Sequence, residues 1–230
     1  MKNLLITGAG KGLGLEIIRM AALDSGYRIF AVARDISNIE SVECCQGTEI
    51  VGISCDLGIE MQVRDLVDRI KEYDGILDGM ILNAGVFLRT PLESSSWTDL
   101  ERLMRVNCYS CFSLSAGLSE KMSSGSHIIL VSSMGGFQGS SKFAGNTGYC
   151  MSKGAMTTLG ECLSSEYAGR NIAVNVVCPG AVRTSMLSQA FPEYEGGVSP
   201  KYMGTWLWAF YKEGRSLFNG RVIPISTQNP

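Results

Sequence analysis

Asn3-Leu4-Leu5-Ile6-Thr7 runs without a break into Gly8-Ala9-Gly10-Lys11-Gly12-Leu13-Gly14. The first five residues read as a buried strand. Leu13, Ile17, Ile18 and Ala21 then recur at helical spacing, so a helix must begin within the glycine turn. Glycine lets the backbone take positive φ and approach a ligand with no Cβ in the way. The free amides and positive pole of the helix start favour a diphosphate at the same place. A tight turn explains one or two glycines but does not require Gly8, Gly10, Gly12 and Gly14 together. Strand, glycine turn and helix in this order point to a dinucleotide, with Lys11 and Leu13 between the glycines.

Outward from this turn, strand-like runs recur at 3–7, 27–34, 49–54, 78–83, 127–133, 172–178 and 221–226. Helical periodicity fills most of the gaps: Val63, Leu66, Val67 and Ile70 share one face, as do Leu100, Leu103 and Met104. Runs apolar at nearly every position, such as 128–131 and 173–177, imply strands buried on both faces. Alternating β and α segments imply parallel strands joined by right-handed crossovers. The expected fold class is α/β, a doubly wound parallel sheet with helices on both faces, in one domain over 1–230. Three long irregular stretches, 84–96, 134–148 and 179–199, follow carboxyl ends of strands, where open sheets of this kind bind ligands.

Composition narrows the function. The chain has 230 residues, 45% of them hydrophobic, and 20 basic against 22 acidic residues leave a net charge of −2, too little field for nucleic acid or an anionic membrane. Apolar stretches such as 205–211 fall short of the roughly 20 residues a spanning helix needs, and the glycine turn interrupts any signal-peptide core. A cytoplasmic protein is expected. Its eight cysteines sit in apolar periodic segments and read as reduced thiols. Cys108 and Cys111 form a lone CxxC, and with His127 the sole histidine a zinc site has too few ligands and a Ser/His/Asp triad no convincing centre.

Charge indicates which nucleotide. An NAD site carries an acid at the end of the second strand for the ribose 2′-hydroxyl, whereas a 2′-phosphate needs basic residues there. Ala33 occupies the acid position, Arg34 follows, and Lys11 can reach the same corner, which favours NADP(H) over NAD(H). The alternative is a solvated Arg34 paired with Asp35. Asp56, followed by Leu57, either bonds the adenine amino group or caps the next helix.

Tyr149 and Lys153 stand one helical turn apart in a segment that stays helical to about Ala168. An ammonium beside a phenol, with an oxidised nicotinamide nearby, favours the phenolate; moving a tyrosine from about 10 to near 7 takes about 4 kcal/mol. Tyr149 is then the acid when a carbonyl is reduced and the base when an alcohol is oxidised. Ser133, at a strand end, would hold the substrate oxygen.

The ordered set Thr7–Gly14 (TGAGKGLG), Asn83-Ala84-Gly85, Asn107, Ser132-Ser133, Tyr149-x-x-x-Lys153 and Pro179-Gly180-x-x-x-Thr184 resembles the short-chain dehydrogenase/reductase family. The resemblance implies a seven-stranded Rossmann fold and hydride transfer with NAD(P)(H) by an Asn-Ser-Tyr-Lys set. Asn107 would kink its helix and hold a water linked to Lys153. Ser133 would orient the carbonyl, with Ser132 the fallback, and Lys153 would also bond the nicotinamide ribose. Asn83 would brace the sheet and place the cofactor; Val182 and Thr184 would hold the carboxamide. Departures are Leu82 for a first asparagine, Met151 for a small residue, a lengthened loop between Ser133 and Tyr149, and a tail over 226–230 without the usual glycine pair.

Phe87, Phe137, Phe143, Met186, Leu187 and Phe191 fall on the three loops and suggest an apolar pocket for an aromatic or alicyclic ketone. Gly196-Gly197 could hinge a substrate loop at about 184–199. Ser199-Pro200 starts a helix whose aromatics exceed what one sheet face can hide, and the family forms dimers and tetramers, so a homodimer or homotetramer is expected. The expected function is an NADPH-dependent carbonyl reductase, reversible as an alcohol dehydrogenase. A non-catalytic NADP(H)-binding regulator and a specialised biosynthetic oxidoreductase are the alternatives.

Overall fold

The computed structural model describes residues 1–226, and the tail positions beyond lie outside the described residues. The expected strands are β1 (Lys2–Thr7), β2 (Tyr27–Ala33), β3 (Glu49–Ser54), β4 (Leu77–Leu82), β5 (Met122–Val131), β6 (Ala173–Pro179) and β7 (Val222–Ile225). They form one parallel seven-stranded sheet in the order β3-β2-β1-β4-β5-β6-β7, a Rossmann arrangement. The strand order reverses direction between β1 and β4, which puts the crevice for a ligand at their carboxyl ends. β5 begins well before the expected residue 127. Met122 pairs with Leu77 across a register shift, and Ser126 Oγ donates to the Leu77 carbonyl at 3.0 Å.

Helices α1 (Gly12–Ala22), α2 (Ser37–Glu40), α3 (Glu60–Lys71), α4 (Trp97–Met104), α5 (Ser110–Gly117), α6 (Thr147–Glu166), α7 (Ser185–Ala190) and α8 (Pro200–Glu213) connect and cover the strands. The period-2 alternation of β1 sends its side chains to opposite faces. Leu4 and Ile6 join the core with Ile17 and Ile18 of α1 and Leu207 of α8, whereas Leu5 joins the core with Leu66 of α3, Leu114 of α5 and Met156 of α6. No helix among the described residues is long and apolar enough to cross a membrane.

Helix α8 opens as its sequence indicates, with Ser199 Oγ accepting from the Tyr202 amide at 3.2 Å and proline in the first turn. Its aromatics depart from expectation. Trp208, Phe210 and Tyr211 are buried within their own chain, Trp208 lying edge-on to Tyr27 at 5.1 Å and donating from Nε1 to Asp24 at 2.9 Å. Gly79 makes room beneath Tyr211, whose hydroxyl would lie 2.6 Å from a Cβ there. The aromatic surplus is therefore absorbed internally, and of these α8 side chains Tyr202 stays exposed.

Candidate active site

A cavity of about 760 Å³ follows the carboxyl ends of the strands from the glycine turn to α7. Gly8 (φ 69°) and Gly12 (φ 57°) adopt the left-handed conformation the turn requires. A side chain on Gly8 would sit 2.8 Å from Ala84 Cα, so the turn packs directly on the residue after Asn83. Asn83 braces that junction, donating from Nδ2 to the Thr7 carbonyl at 3.1 Å, while the Ala84 amide donates to Thr7 Oγ1 at 3.1 Å. Gly8, Gly10, Lys11, Gly12, Leu13 and Gly14 line one end of the cavity together with Asn83, Ala84 and Gly85.

Arg34, Lys11, Asp56 and Leu57 also line that end. The alternative pairing of Arg34 with Asp35 is not formed. Asp35 Oδ1 accepts instead from the Ser37 amide at 3.0 Å and from the Ser37 hydroxyl, which holds its carboxyl below the usual range. Asn38, not singled out in the sequence, donates from Nδ2 to the Gly10 carbonyl at 2.9 Å and joins the same corner. Asp56 is not the cap of α3, a position held by Ile59. Its Oδ1 accepts from the Gly58 amide at 2.9 Å, turning the chain before the helix starts.

At the other end, β6 closes with Pro179, and the Gly180 amide donates to the Ile225 carbonyl at 2.8 Å. Val182 forms a parallel bridge with Val198. Thr184 caps α7, its Oγ1 accepting from the Leu187 amide at 3.4 Å, which leaves the hydroxyl proton for another acceptor. Pro179, Gly180, Val182 and Thr184 all line the cavity.

Ser133, Tyr149 and Lys153 line it between these ends. Ser133 Oγ accepts from the Gly135 amide at 3.0 Å, and Gly135 lies against both it and Tyr149: a Cβ there would be 3.5 Å from Ser133 Oγ and 3.3 Å from Tyr149 Cε1. Ser132, the fallback, is buried and already spent on the Lys153 carbonyl and Thr157 Oγ1, both at 2.9 Å. Lys153 is 4% exposed, and its Nζ donates to the Val131 carbonyl at 2.9 Å.

The expected shift of Tyr149 toward the phenolate needs an oxidised nicotinamide beside the pair. Burial pushes the Tyr149 phenol up to about 12, against the pull of the Ser133 hydroxyl, and burial brings the Lys153 ammonium down to about 8. In the protein alone desolvation is the largest influence on the phenol, and Lys153 directs its ammonium to the Val131 carbonyl. At neutral pH Tyr149 is a protonated phenol, the form that donates.

Asn107 lies behind the cavity wall, fully buried, in a π turn (Arg105–Tyr109) that interrupts the run from α4 to α5. Its side chain accepts from the Val86 amide at 2.8 Å and donates to the Val86 carbonyl at 3.0 Å, taking up both backbone groups as a paired strand would. Nδ2 also donates to Ser152 Oγ at 2.9 Å. A Cβ on Gly85 would lie 3.4 Å from Asn107 Oδ1 and 3.3 Å from Lys153 Nζ, so this glycine permits both to face the same spot. Cys108 and Cys111 are buried free thiols, pushed up by burial, as the filler reading requires.

Phe87, Phe143, Met186, Leu187 and Phe191 line the cavity; Phe137 instead packs against the core. Phe87 lies 4.8 Å from the Tyr149 ring and 6.2 Å from Phe191, which is 6.0 Å from Phe143. These rings roof the space beside the phenol.

The chain belongs to the short chain dehydrogenase family, whose model matches residues 2–195. It is 32% identical over 205 residues to versicolorin reductase 1 of Dothistroma septosporum, covering 85% of this chain and 75% of that protein. A tropinone reductase homologue of Arabidopsis thaliana is 32% identical over 195 residues, covering 82% and 71%. A short chain dehydrogenase from Burkholderia cenocepacia, solved in complex with NADP, superposes with a TM-score of 0.85 at 25% identity over 98% of this chain and 96% of that one. The protein is accordingly an NAD(P)-dependent oxidoreductase.

Proposed function

We propose that this enzyme reduces the carbonyl of an apolar, ring-bearing ketone to an alcohol with NADPH, and runs in reverse as an alcohol dehydrogenase. The observation that carries the reading is Tyr149 beside the Ser133 hydroxyl, under a roof of phenylalanines, in the cavity that begins at the glycine turn. The nicotinamide cofactor supplies the hydride when bound.

The chain's own residues do the rest. Ser133 donates a hydrogen bond to the carbonyl oxygen and orients it. Tyr149 transfers its proton to that oxygen as negative charge develops there. Lys153 bonds the nicotinamide ribose and shares a proton relay with Asn107. Gly8, Gly10, Gly12, Leu13 and Gly14 cradle the pyrophosphate. Arg34 and Lys11 pair with the 2′-phosphate, Asp56 and Leu57 border the adenine, and Asn83, Ala84 and Gly85 flank the nucleoside. Pro179, Gly180, Val182 and Thr184 position the nicotinamide.

Relatives named as reductases, among them versicolorin reductase 1, support the direction of reaction. We place the enzyme in the cytoplasm as one domain over 1–230 with its substrate loop at about 184–199. We further assign a homodimer or homotetramer. Its support is the exposure of Tyr109, Phe112 and Met151 (52, 58 and 57%) on the π turn, α5 and α6, more apolar surface than a solvated face needs. A sedimentation mass of 24.8 kDa would overturn the assembly.

The function is tested by following NADPH absorbance over a panel of aromatic and alicyclic ketones with wild type and Tyr149→Phe. Turnover that falls by about 10² to 10⁴ in the variant, the usual share of a general acid, supports the reading. Cofactor binding with no turnover on any ketone overturns it in favour of a regulator.

A further inference from the structure

Four buried side-chain atoms among the described residues have no hydrogen-bond partner: Asn3 Oδ1, Ser115 Oγ, Asn146 Oδ1 and Arg215 Nε. Of the residues that own them, Asn146 is the one that lines the cavity. It is 5% exposed and precedes the first turn of α6, yet its side chain makes no cap bond there. Leaving a buried amide oxygen unpaired costs about 1–3 kcal/mol, which a ligand in the adjoining cavity would recover by donating to it.

Helix geometry says which part of the cavity that is. Positions three and four apart share a face, so Asn146, Tyr149 and Lys153 form one row, and all three line the cavity. Lys153 is the member of the row on the cofactor side in the proposed function. Asn146 is the member at the opposite end, three residues before the phenol, about 4.5 Å along the axis. Phe143, three residues earlier in the lengthened loop, packs on Phe191 at 6.0 Å, and the Arg89 guanidinium lies over the same Phe191 ring at 5.0 Å. Lys142, the nearest cation in that loop, spends its ammonium on the Phe137 carbonyl at 2.7 Å and Ser140 Oγ at 2.6 Å, holding the loop in shape.

We propose that Asn146 is a specificity-determining residue whose amide oxygen accepts a hydrogen bond from a second oxygen of the substrate, a hydroxyl on the fused ring system that bears the reacting ketone. The substrate class is thereby narrowed from a plain apolar ketone to an oxygenated one. The inference rests on the placement of Tyr149 at the reacting carbonyl. The unpartnered atom is the amide oxygen, an acceptor, so its partner is a hydroxyl such as a phenol. A ketone lacking the second oxygen leaves it unpaired, the circumstance in which polar sites discriminate most strongly.

The test uses 2-tetralone and its four ring-hydroxylated isomers. Their affinities are measured calorimetrically on the full chain loaded with oxidised cofactor, where no ketone can be reduced. Reduction by NADPH is measured separately. In wild type at least one hydroxylated isomer is expected to bind about tenfold tighter than 2-tetralone, the size of one neutral hydrogen bond. In Asn146→Leu, and in Asn146→Ala should the first variant misfold, that ratio should fall to within about twofold of one. Equal binding of all the ketones to wild type, or a ratio that survives both substitutions, would overturn the proposal. A ratio that behaves as expected with no NADPH oxidised on any ketone leaves Asn146 as the selector and removes the reductase reading instead.

Discussion

Asn107 Nδ2 donates to Ser152 Oγ at 2.9 Å, tying the π turn to α6 one residue before Lys153. Ser152 also donates to the Tyr149 carbonyl at 2.8 Å, so one hydroxyl links the segments that carry three of the proposed catalytic residues. Ser152→Ala removes a small group and two neutral hydrogen bonds, and is expected to cost about 1–2 kcal/mol. Asn107→Leu strands the amide and carbonyl of Val86 as well, and should cost about 3–5 kcal/mol. Urea midpoints for the two variants check the order; an Asn107→Leu protein no weaker than Ser152→Ala would contradict it.

The basic corner formed by Lys11 and Arg34 is expected to set cofactor choice. Arg34→Asp replaces attraction for a 2′-phosphate by repulsion, and should weaken NADPH binding by ten- to a hundredfold, about 1.5–3 kcal/mol for a charged hydrogen bond. NADH binding should hold or improve. Fluorescence titration of both nucleotides against wild type and variant decides it, and tighter NADH than NADPH binding by wild type ends the assignment.

His127 gives the fold a pH dependence. Asn175 Oδ1 accepts from the Arg221 amide, so its Nδ2 donates to the Phe218 carbonyl and to His127 Nε2. His127 therefore carries its proton on Nδ1, facing the Tyr211 carbonyl at 3.0 Å. Burial brings its pKa down to about 4, below the unfolded value near 6.5. Between these values the unfolded chain binds the extra proton. Stability contributed by the neutral ring is complete above pH 6.5 and is lost as pH falls toward 4, in total about 3 kcal/mol. Urea unfolding at pH 7.5, 6 and 5 should show a slope in wild type that His127→Gln reduces.

Gly160 faces β6, where a Cβ would fall on Val176 Cγ2. Alanine gains about 0.5–1 kcal/mol of helix propensity, whereas overpacking a closed core costs about 1–3 kcal/mol. The core term wins, so Gly160→Ala should lower the thermal midpoint; an unchanged or raised Tm would show that β6 yields.

The sheet was legible because its central strands carry apolar runs, such as 4–6, 128–131 and 176–178, and helices such as α1 and α3 keep one buried stripe. Leu4, Leu5 and Ile6 announce both faces of β1 within three residues. The residues around the cavity were legible because each has a fixed place relative to a strand end or a helix turn. What escaped was interaction at long range in the chain. Asn146 has no motif, and its unpaired amide shows only once α6 is seated; Asn38 needs the glycine turn folded beside it. The turn of the Lys153 ammonium to the Val131 carbonyl also escaped, because local spacing places a lysine near a phenol without fixing where its ammonium points. Aromatics of α8 read as surplus until Gly79 opened a slot for Tyr211.

The bridge between Val182 and Val198 consists of two bonds, from the Arg183 amide to the Val198 carbonyl and from the Val198 amide to the Ala181 carbonyl, at 2.9 and 3.0 Å. The segment that carries α7 is thus a stirrup, with its downstream strap stitched back to the ledge just after β6. Such a shape can tilt but cannot be peeled off from its downstream side. Met186, Leu187 and Ala190 of α7, with Phe191 just after it, line the same cavity as the phenol, so the stirrup's bow forms part of that cavity's wall.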